Sequence, residues 1–502
     1  MESLSHLYRS TFLFLLCFHA TVATATATAS EASSPPNAHE LSLEYTFDQY
    51  IHDFNKPYSN HENDSADTKD LYQEKKLIFE SNLQKILHHN SNVKYDIETG
   101  KLFDDDHEKR NGHSFHMGVN QFMDHSEDEF KSFHFGYDKS VLLRREFDGS
   151  GIEIETETPM STMMMTTTSY DESDHKMDLP FKITDVSTLP PSIRYNQTTP
   201  VKNQGGCGSC WSFSAITALE THFALHSPNN IDDDEVVDIL STQELVSCVQ
   251  NPNQCGGTGG CEGATAELAY NYIANHGVVK EEDFPYRARD GLTCPLSRSD
   301  MTSFEKEMMM IEGTATTAMK RLRRRRRNNV IEASSSSSVP IVAKIEGYAN
   351  IPSNDYKALM NAVAKHGPVV VALAASSWSF YAGGVYSPPS HPSPMDWDLN
   401  HGVVVEGYGT DEITGEDYWL VRNSWSARWG EKGYIRLKRV DPDTLEDNDD
   451  VESGFCGYDK TPLDGIACAL TPDGSEIVQK DVKVCGTNGL LFDPVIPVGF
   501  VL

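Results

Sequence analysis

At 502 residues the chain exceeds one average domain, and units of about 100 to 200 residues predict two to four folding units. Its 74 acidic against 42 basic residues give a net charge of −32, which excludes general attraction to nucleic acid or to anionic membranes. Such a chain is an acidic soluble protein, and an acidic compartment would relieve its self-repulsion by neutralising carboxylates.

In chain order, Arg9 precedes an apolar run from Phe12 to Ala20 and a small-residue tract from Thr21 to Ser30. This pattern predicts a secretory signal peptide over residues 1–29, too short to span about 30 Å of hydrocarbon. The expected location is the secretory pathway, ending in a lysosome or vacuole or outside the cell. No membrane association is expected after cleavage, and disulfides become permissible. From Glu44 to Asn90, Leu71, Ile78, Leu83, Ile86 and Leu87 recur at helical spacing and predict an amphipathic helical pair. Two motifs follow one another, Phe79-x-x-Asn82-x-x-x-Ile86-x-x-x-Asn90 and Gly118-x-Asn120-x-Phe122-x-Asp124. Residues 141–188 shift to Thr, Met, Ser, Glu and Asp, a composition with little to bury, and read as a low-complexity linker suited to proteolysis.

Residues 189–502 form the second unit. Helices are predicted at Trp211 to Leu225, Ser241 to Val246 and Ala264 to Asn275. Short β-rich runs follow at Val369 to Leu373, His401 to Val405, Tyr418 to Val421 and Gly433 to Leu437. Between these halves, residues 297–342 carry Arg323 to Arg327 and Ser334 to Ser338 and read as an extruded surface insertion. The final stretch from Leu490 to Leu502, broken by Asp493 and two prolines, reads as a packed tail. A helical first lobe and an antiparallel, barrel-like second lobe make an α+β architecture with a cleft between them.

Three separated segments carry chemistry. They are Gln204-Gly-Gly-Cys207-Gly-Ser-Cys210-Trp211, Leu399-Asn400-His401-Gly402 and Asn423-Ser424-Trp425. A thiol attacks well only as thiolate, which a cationic neighbour or a helix N-terminus favours. Cys210 stands where the first predicted helix begins, at its positive end. An imidazole can hold and return the proton, and amide donors can stabilise an oxyanion. These are the requirements of amide hydrolysis.

The segments resemble the papain-like cysteine proteases in residue type and in order, with Cys207 to Trp211 matching that family's signature. One departure is the separation of Cys210 from His401, which exceeds the family's roughly 130 to 150 residues and implies insertions. The resemblance implies Cys210 as nucleophile, His401 as proton carrier and Asn423 as its orienting partner. It further implies Gln204 with the Cys210 N–H as oxyanion donors, and Trp425 as cover for the His–Asn contact. Gly263, Ala264, Ala372, Leu399, Asn400 and Thr461 would bind substrate, with an apolar side chain preferred at the second subsite. Ala264 stands where glycine is usual, as do Arg194 and Tyr195 where Asp-Trp is usual.

The two upstream motifs resemble the family's inhibitory propeptide, spanning 40–140, with Lys75 where Arg is usual. The resemblance thus implies a self-inhibited zymogen of a cysteine endopeptidase, monomeric, acting on proteins or peptides, with its own propeptide as intramolecular inhibitor. Neither a cofactor nor a metal is implied, since the Cys255 to Cys261 loop lacks nearby ligand histidines. Acidification would release the propeptide by protonating its carboxylates. Of the ten cysteines, Cys17 falls in the signal and Cys210 is the nucleophile. The resemblance implies the pairs Cys207 with Cys261 and Cys248 with Cys294. Cys456 is left with Cys468 or Cys485, and Cys255 is unassigned. A non-catalytic binding protein on the same fold is the competing class.

Overall fold

The structure is a computed structural model that describes residues 34–61, 64–103, 112–135, 175–196, 198–226, 238–295, 340–388, 396–445, 451 and 453–501. The expected signal peptide, residues 141–174 of the expected linker, and 297–339 of the expected insertion lie outside the described residues.

The N-terminal region contains helices α1 (Phe47–Phe54) and α2 (Ala66–Asn90), strand β1 (Phe115–Met117) and helix α3 (Glu127–His134). Local sequence explains their starts. Thr46 with Gln49, and Ser126 with Glu129, form reciprocal capping boxes, and Ser65 caps α2. The buried face of α2 is Tyr72, Lys75, Phe79, Leu83 and Ile86, one helical stripe. Leu71 lies off that stripe and is exposed, against the sequence expectation. Phe79 is fully enclosed by Tyr45, Phe47 and Tyr50, ring centroids 5.2–5.9 Å away. Burying such a ring contributes on the order of 2–3 kcal/mol.

The first lobe contains α4 (Cys210–His226), α5 (Thr242–Cys248) and α6 (Ala266–His276). All but two residues of α4 are buried, so it is a core helix enclosed on every side rather than an amphipathic surface one. Carboxylates inside this lobe are held by specific donors: Glu220 accepts from Thr199, from Lys202 at 2.5 Å and from the Leu240 N–H at 2.8 Å.

The second lobe is a sheet of β2 (Ile193–Arg194), β3 (Lys344–Asn350), β4 (Val369–Leu373), β5 (Tyr381–Tyr386), β6 (His401–Thr410), β7 (Asp417–Arg422), β8 (Tyr434–Lys438) and β11 (Val495–Val501). Helix α7 (Tyr356–Lys365) packs on it, and β9 (Cys456–Asp459) pairs with β10 (Val482–Cys485) in a separate ribbon. The strand order β1-β5-β8-β7-β6-β4-β11-β3, with β2 also on β6, runs between two unjoined edges. The expected barrel is therefore an open sheet, and it is mixed, because β5 and β8 pair in parallel. The expected C-terminal tail is strand β11. It meets β4 only at Val495 and runs along β3, so Pro497 sits where pairing is one-sided and costs little of the ladder. Residues 175–188, expected within the linker, are bound to this lobe. Phe181 is buried, and its carbonyl accepts from Asn361 Nδ2 at 2.9 Å.

Candidate active site

Cys210 is the first residue of α4, and it is the cysteine that stands outside the disulfides among the described residues. The start of β6 rests on that helical turn. A Cβ built on Gly402 would lie 3.1 Å from Ser214 Oγ, 3.4 Å from the Trp211 nitrogen and 3.5 Å from the Cys210 carbonyl carbon, so the strand start lies in close contact with the turn. His401, one residue earlier, is thereby brought beside the turn that carries the thiol.

Strands β6 and β7 are antiparallel, with Val404 opposite Arg422, so the start of one meets the end of the other. Across that junction His401 Nε2 donates to Asn423 Oδ1 at 2.8 Å, leaving Nδ1 buried and without a hydrogen bond. The end of β7 is anchored by Arg422, which donates to Glu406 at 3.1 Å and to the carbonyls of Thr199 at 2.6 Å and Pro200 at 2.8 Å. Trp425 stacks on the His401 ring at 4.7 Å and excludes water from the His–Asn contact. Burial pushes His401 down to about 4, against the smaller upward effect of Asn423.

Gln204 is fully buried beside this group. Its Oε1 accepts from Ser424 Oγ at 2.6 Å, and its Nε2 donates to the Cys207 carbonyl at 3.1 Å. Tyr286 was not legible as part of the site, yet its hydroxyl donates to the Gln204 carbonyl at 2.8 Å and lies 2.6 Å from Ser209 Oγ. Ala264 and Leu399 are fully buried, Gly263 is buried, Ala372 and Asn400 are half-buried and Thr461 is exposed. Asn400 Oδ1 accepts from the Ala375 N–H at 3.0 Å, a structural contact.

Among the described residues four disulfides are formed: Cys207–Cys261, Cys248–Cys294, Cys456–Cys485 and Cys255–Cys468. The last gives the unassigned Cys255 a partner in the segment between β9 and β10.

The N-terminal region lies over this site. Strand β1 extends the sheet by pairing with β5, and Gly118 N donates to the Phe380 carbonyl at 2.9 Å. Gly118 comes so close that a Cβ would stand 2.9 Å from the Ala382 side chain. Asn120 Nδ2 donates to the Ser379 carbonyl at 2.6 Å and Gln121 Nε2 to the Trp425 carbonyl at 2.8 Å. The two upstream motifs interlock. Asn82 donates to the carbonyls of Met123 and His125, and Asn90 holds both backbone groups of Met117. Asp124 is fully buried and accepts from Tyr50 at 2.6 Å, Tyr58 at 2.7 Å and Lys56 at 2.8 Å. Lys75 pairs with Glu129 on α3. Phe130 within α3 and Phe135 just after it pack on Trp425, and Phe135 reaches His401 edge-on at 5.7 Å. Nothing in the spacing of the phenylalanines distinguishes Phe135 from a core residue, so sequence reasoning missed it.

A thiol at a helix start, an imidazole oriented by an amide and an N-terminal region packed over both define a thiol peptidase held as a precursor. Residues 190–454 match the Papain family cysteine protease and residues 47–130 the Cathepsin propeptide inhibitor domain (I29). Cysteine protease XCP2 of Arabidopsis thaliana is 30% identical over 463 residues, covering 89% of this chain and 95% of the relative. The Oryzain beta chain of Oryza sativa subsp. japonica is 36% identical over 278 residues, which is 54% of this chain and 45% of that relative's length. Among solved structures, digestive procathepsin L 3 of the Tenebrio molitor larval midgut superposes with a TM-score of 0.51 at 24% identity, over 90% of this chain and 97% of that one. That likeness concerns the fold. The chain belongs to the papain family of cysteine proteases and is a cysteine endopeptidase with an inhibitory propeptide.

Proposed function

We propose that Cys210, His401 and Asn423 form the catalytic set, with Gln204 and the Cys210 N–H as oxyanion donors. The observation that carries this is the His401–Asn423 hydrogen bond at 2.8 Å beside the N-terminal turn that bears Cys210. In the active form the Cys210 proton passes to His401, and the thiolate attacks the substrate carbonyl. The oxyanion collects hydrogen bonds, the imidazolium protonates the leaving amine, and water then resolves the thioester by the reverse transfers.

The same geometry explains latency. With Phe135 edge-on against its ring, His401 is fully buried, and that burial disfavours the imidazolium that would partner a thiolate until the propeptide leaves. Ala372 and Leu399 would form an apolar second subsite, and Gly263 and Ala264 would hold the substrate backbone. Entry to the secretory pathway, maturation near Leu189, and action as a monomer on protein or peptide substrates complete the reading.

The test is hydrolysis of a fluorogenic peptide with an apolar residue second from the scissile bond, after activation at pH 4 to 5. Activity in the wild-type enzyme and none in Cys210→Ala is expected. Processed wild-type enzyme that neither cleaves nor reacts with a thiol-directed epoxide would instead favour the non-catalytic binding protein.

A further inference from the structure

The segment between β9 and β10 ties the two lobes together. Leaving β9, it runs beside Leu399: a Cβ built on Gly465 would stand 2.3 Å from the Leu399 carbonyl oxygen. It then crosses to the Gly-rich loop of the first lobe. Gly256 N donates to the Ala467 carbonyl at 3.0 Å, Ala469 N to Gln254 at 3.2 Å and Leu470 N to Asn253 at 3.0 Å. The Cys255–Cys468 disulfide fixes this crossing covalently. On the first-lobe side a Cβ on Gly256 would meet Gly465 O at 2.8 Å and Ala264 O at 3.1 Å, so the strap is packed backbone to backbone against both lobes. Ile466, half-buried at the middle of the crossing, packs against the small apolar cluster of Trp397, Leu399 and Val484, as Ala372 also does.

We propose that Ile466 is a further specificity-determining residue, an apolar wall of the second subsite that the Cys255–Cys468 bond holds in place. This rests on the reading that Ala372 and Leu399 line that subsite. A β-branched side chain is stiff at χ1, so it gives a wall that does not swing aside. The strap sits between Leu399 and Ala264, one from each lobe, and so closes the groove between them. The pocket then suits a branched aliphatic side chain such as Val or Leu and rejects an aromatic one. Tethering by a disulfide removes the freedom by which a loop of this length would otherwise yield to a larger group.

The experiment uses acid-activated full-length enzyme and fluorogenic dipeptidyl amides that differ only in Val, Leu, Phe or Arg at the second position from the scissile bond. Active sites are counted by epoxide titration. Ile466→Ala should raise the Phe-to-Val ratio of kcat/KM by about 10-fold or more, the scale set by adding or removing a methylene in an apolar pocket. The Cys255→Ser/Cys468→Ser double variant should raise it in the same direction by less. Ile466→Glu, at a half-exposed position that can hold a charge, should gain about 10-fold for Arg relative to Leu, which gives a second reading if Ile466→Ala does not fold. Ala372→Val, which narrows the pocket from β4, should lower the Phe-to-Val ratio and reports on the subsite independently. If Ala372→Val shifts the ratio while the Ile466 variants leave it within about twofold, the role of Ile466 is overturned and the subsite stands. If none of them shifts it, the assignment of the subsite fails and the proposal with it. Absence of both cleavage and labelling in wild type would instead overturn the catalytic assignment.

Discussion

Acid should release the propeptide through histidines rather than carboxylates. Strand β1 carries His116, which lies under the Tyr95 hydroxyl at 2.8 Å with Gly383 packed against its ring. Burial first, and then the positive charge of Arg436, push it down to about 4. His89, on α2, stacks on His113 at 4.2 Å and hydrogen-bonds the Phe115 carbonyl, and burial together with its histidine neighbours also pushes it down to about 4. Tyr95, His113 and Phe115 belong to the N-terminal region itself, so each histidine returns to about 6.5 only when release includes unfolding of that region. The released state therefore binds more protons than the docked state between about pH 6.5 and 4. Docking is at full strength above that window and weakens as pH falls through it.

At pH 4.5 the linkage amounts to roughly 2 kcal/mol for each histidine after allowance for partial exposure, so about 4 kcal/mol together. That is a change of nearly 10³ in the docking equilibrium. Asp124 cannot supply this. Burial alone would raise its carboxyl, but the pair with Lys56 and the hydroxyls of Tyr50 and Tyr58 more than offset that, and it lies below its usual value. Its contribution is present above about 3.8 and is lost only as pH falls through that lowered value, so it stays ionised while the zymogen opens.

The His89→Gln/His116→Gln variant keeps polar partners but cannot gain charge. Placed in Cys210→Ala zymogens and cut in trans by a fixed amount of active enzyme, the wild-type sequence should become cleavable as pH falls from 6.5 to 4.5. The double variant should require about one pH unit more acid and match wild type at pH 7. Superimposable cleavage curves would refute the histidine mechanism.

Asp124→Ala removes the carboxylate that Lys56, Tyr50 and Tyr58 share, leaving Lys56 and Tyr50 with the Gln121 carbonyl, and breaking such a pair costs about 3 kcal/mol at the lower end, because Lys56 also retains some access to water. At pH 7 its zymogen should react with a thiol-directed epoxide up to about 100-fold faster than wild type, measured as a labelling rate. Asn423→Ala removes the acceptor that orients His401, a hydrogen bond to a group that is charged during turnover and so one of about 1.5–3 kcal/mol. Active-site-titrated kcat/KM should fall about 10- to 100-fold with Cys210 still able to be labelled.

What was legible in the sequence was chemistry with few permitted residue types. A nucleophile at a helix start, an imidazole and an amide partner admit almost no substitutes, so Cys210, His401 and Asn423 stand out as a set of motifs in order, although His401 or Asn423 alone would read as a packed or turn residue. Strands with dense β-branched residues, such as Val369 to Leu373, announce themselves locally in the same way. The propeptide motifs and their inhibitory purpose are visible in the sequence, but the contacts that each motif residue makes are not. Asn82 and Asn90 could have been ordinary helix-surface residues, and only the docked backbone at Met117, Met123 and His125 shows why amides stand there.

Other features depend on distant segments meeting. Strand β11 was hidden by Pro494 and Pro497, which read as breakers, because one-sided pairing with β3 relaxes the rule against proline in a strand. The acid response turns on a related point. Counting carboxylates suggests that they are the groups to protonate, but whether a group gains or loses protons on release depends on its buried neighbours. Those neighbours hold Asp124 charged and His116 neutral. Cys255 and Cys468 are 213 positions apart, and no local pattern couples them. Their bond fixes a segment between Leu399 and Ala264, so part of the specificity of the cleft can reside in a stretch that carries no recognisable motif. A family pattern locates the reacting atoms because they are chemically constrained, whereas pocket walls need only the right volume and can be supplied by any loop that is anchored well enough.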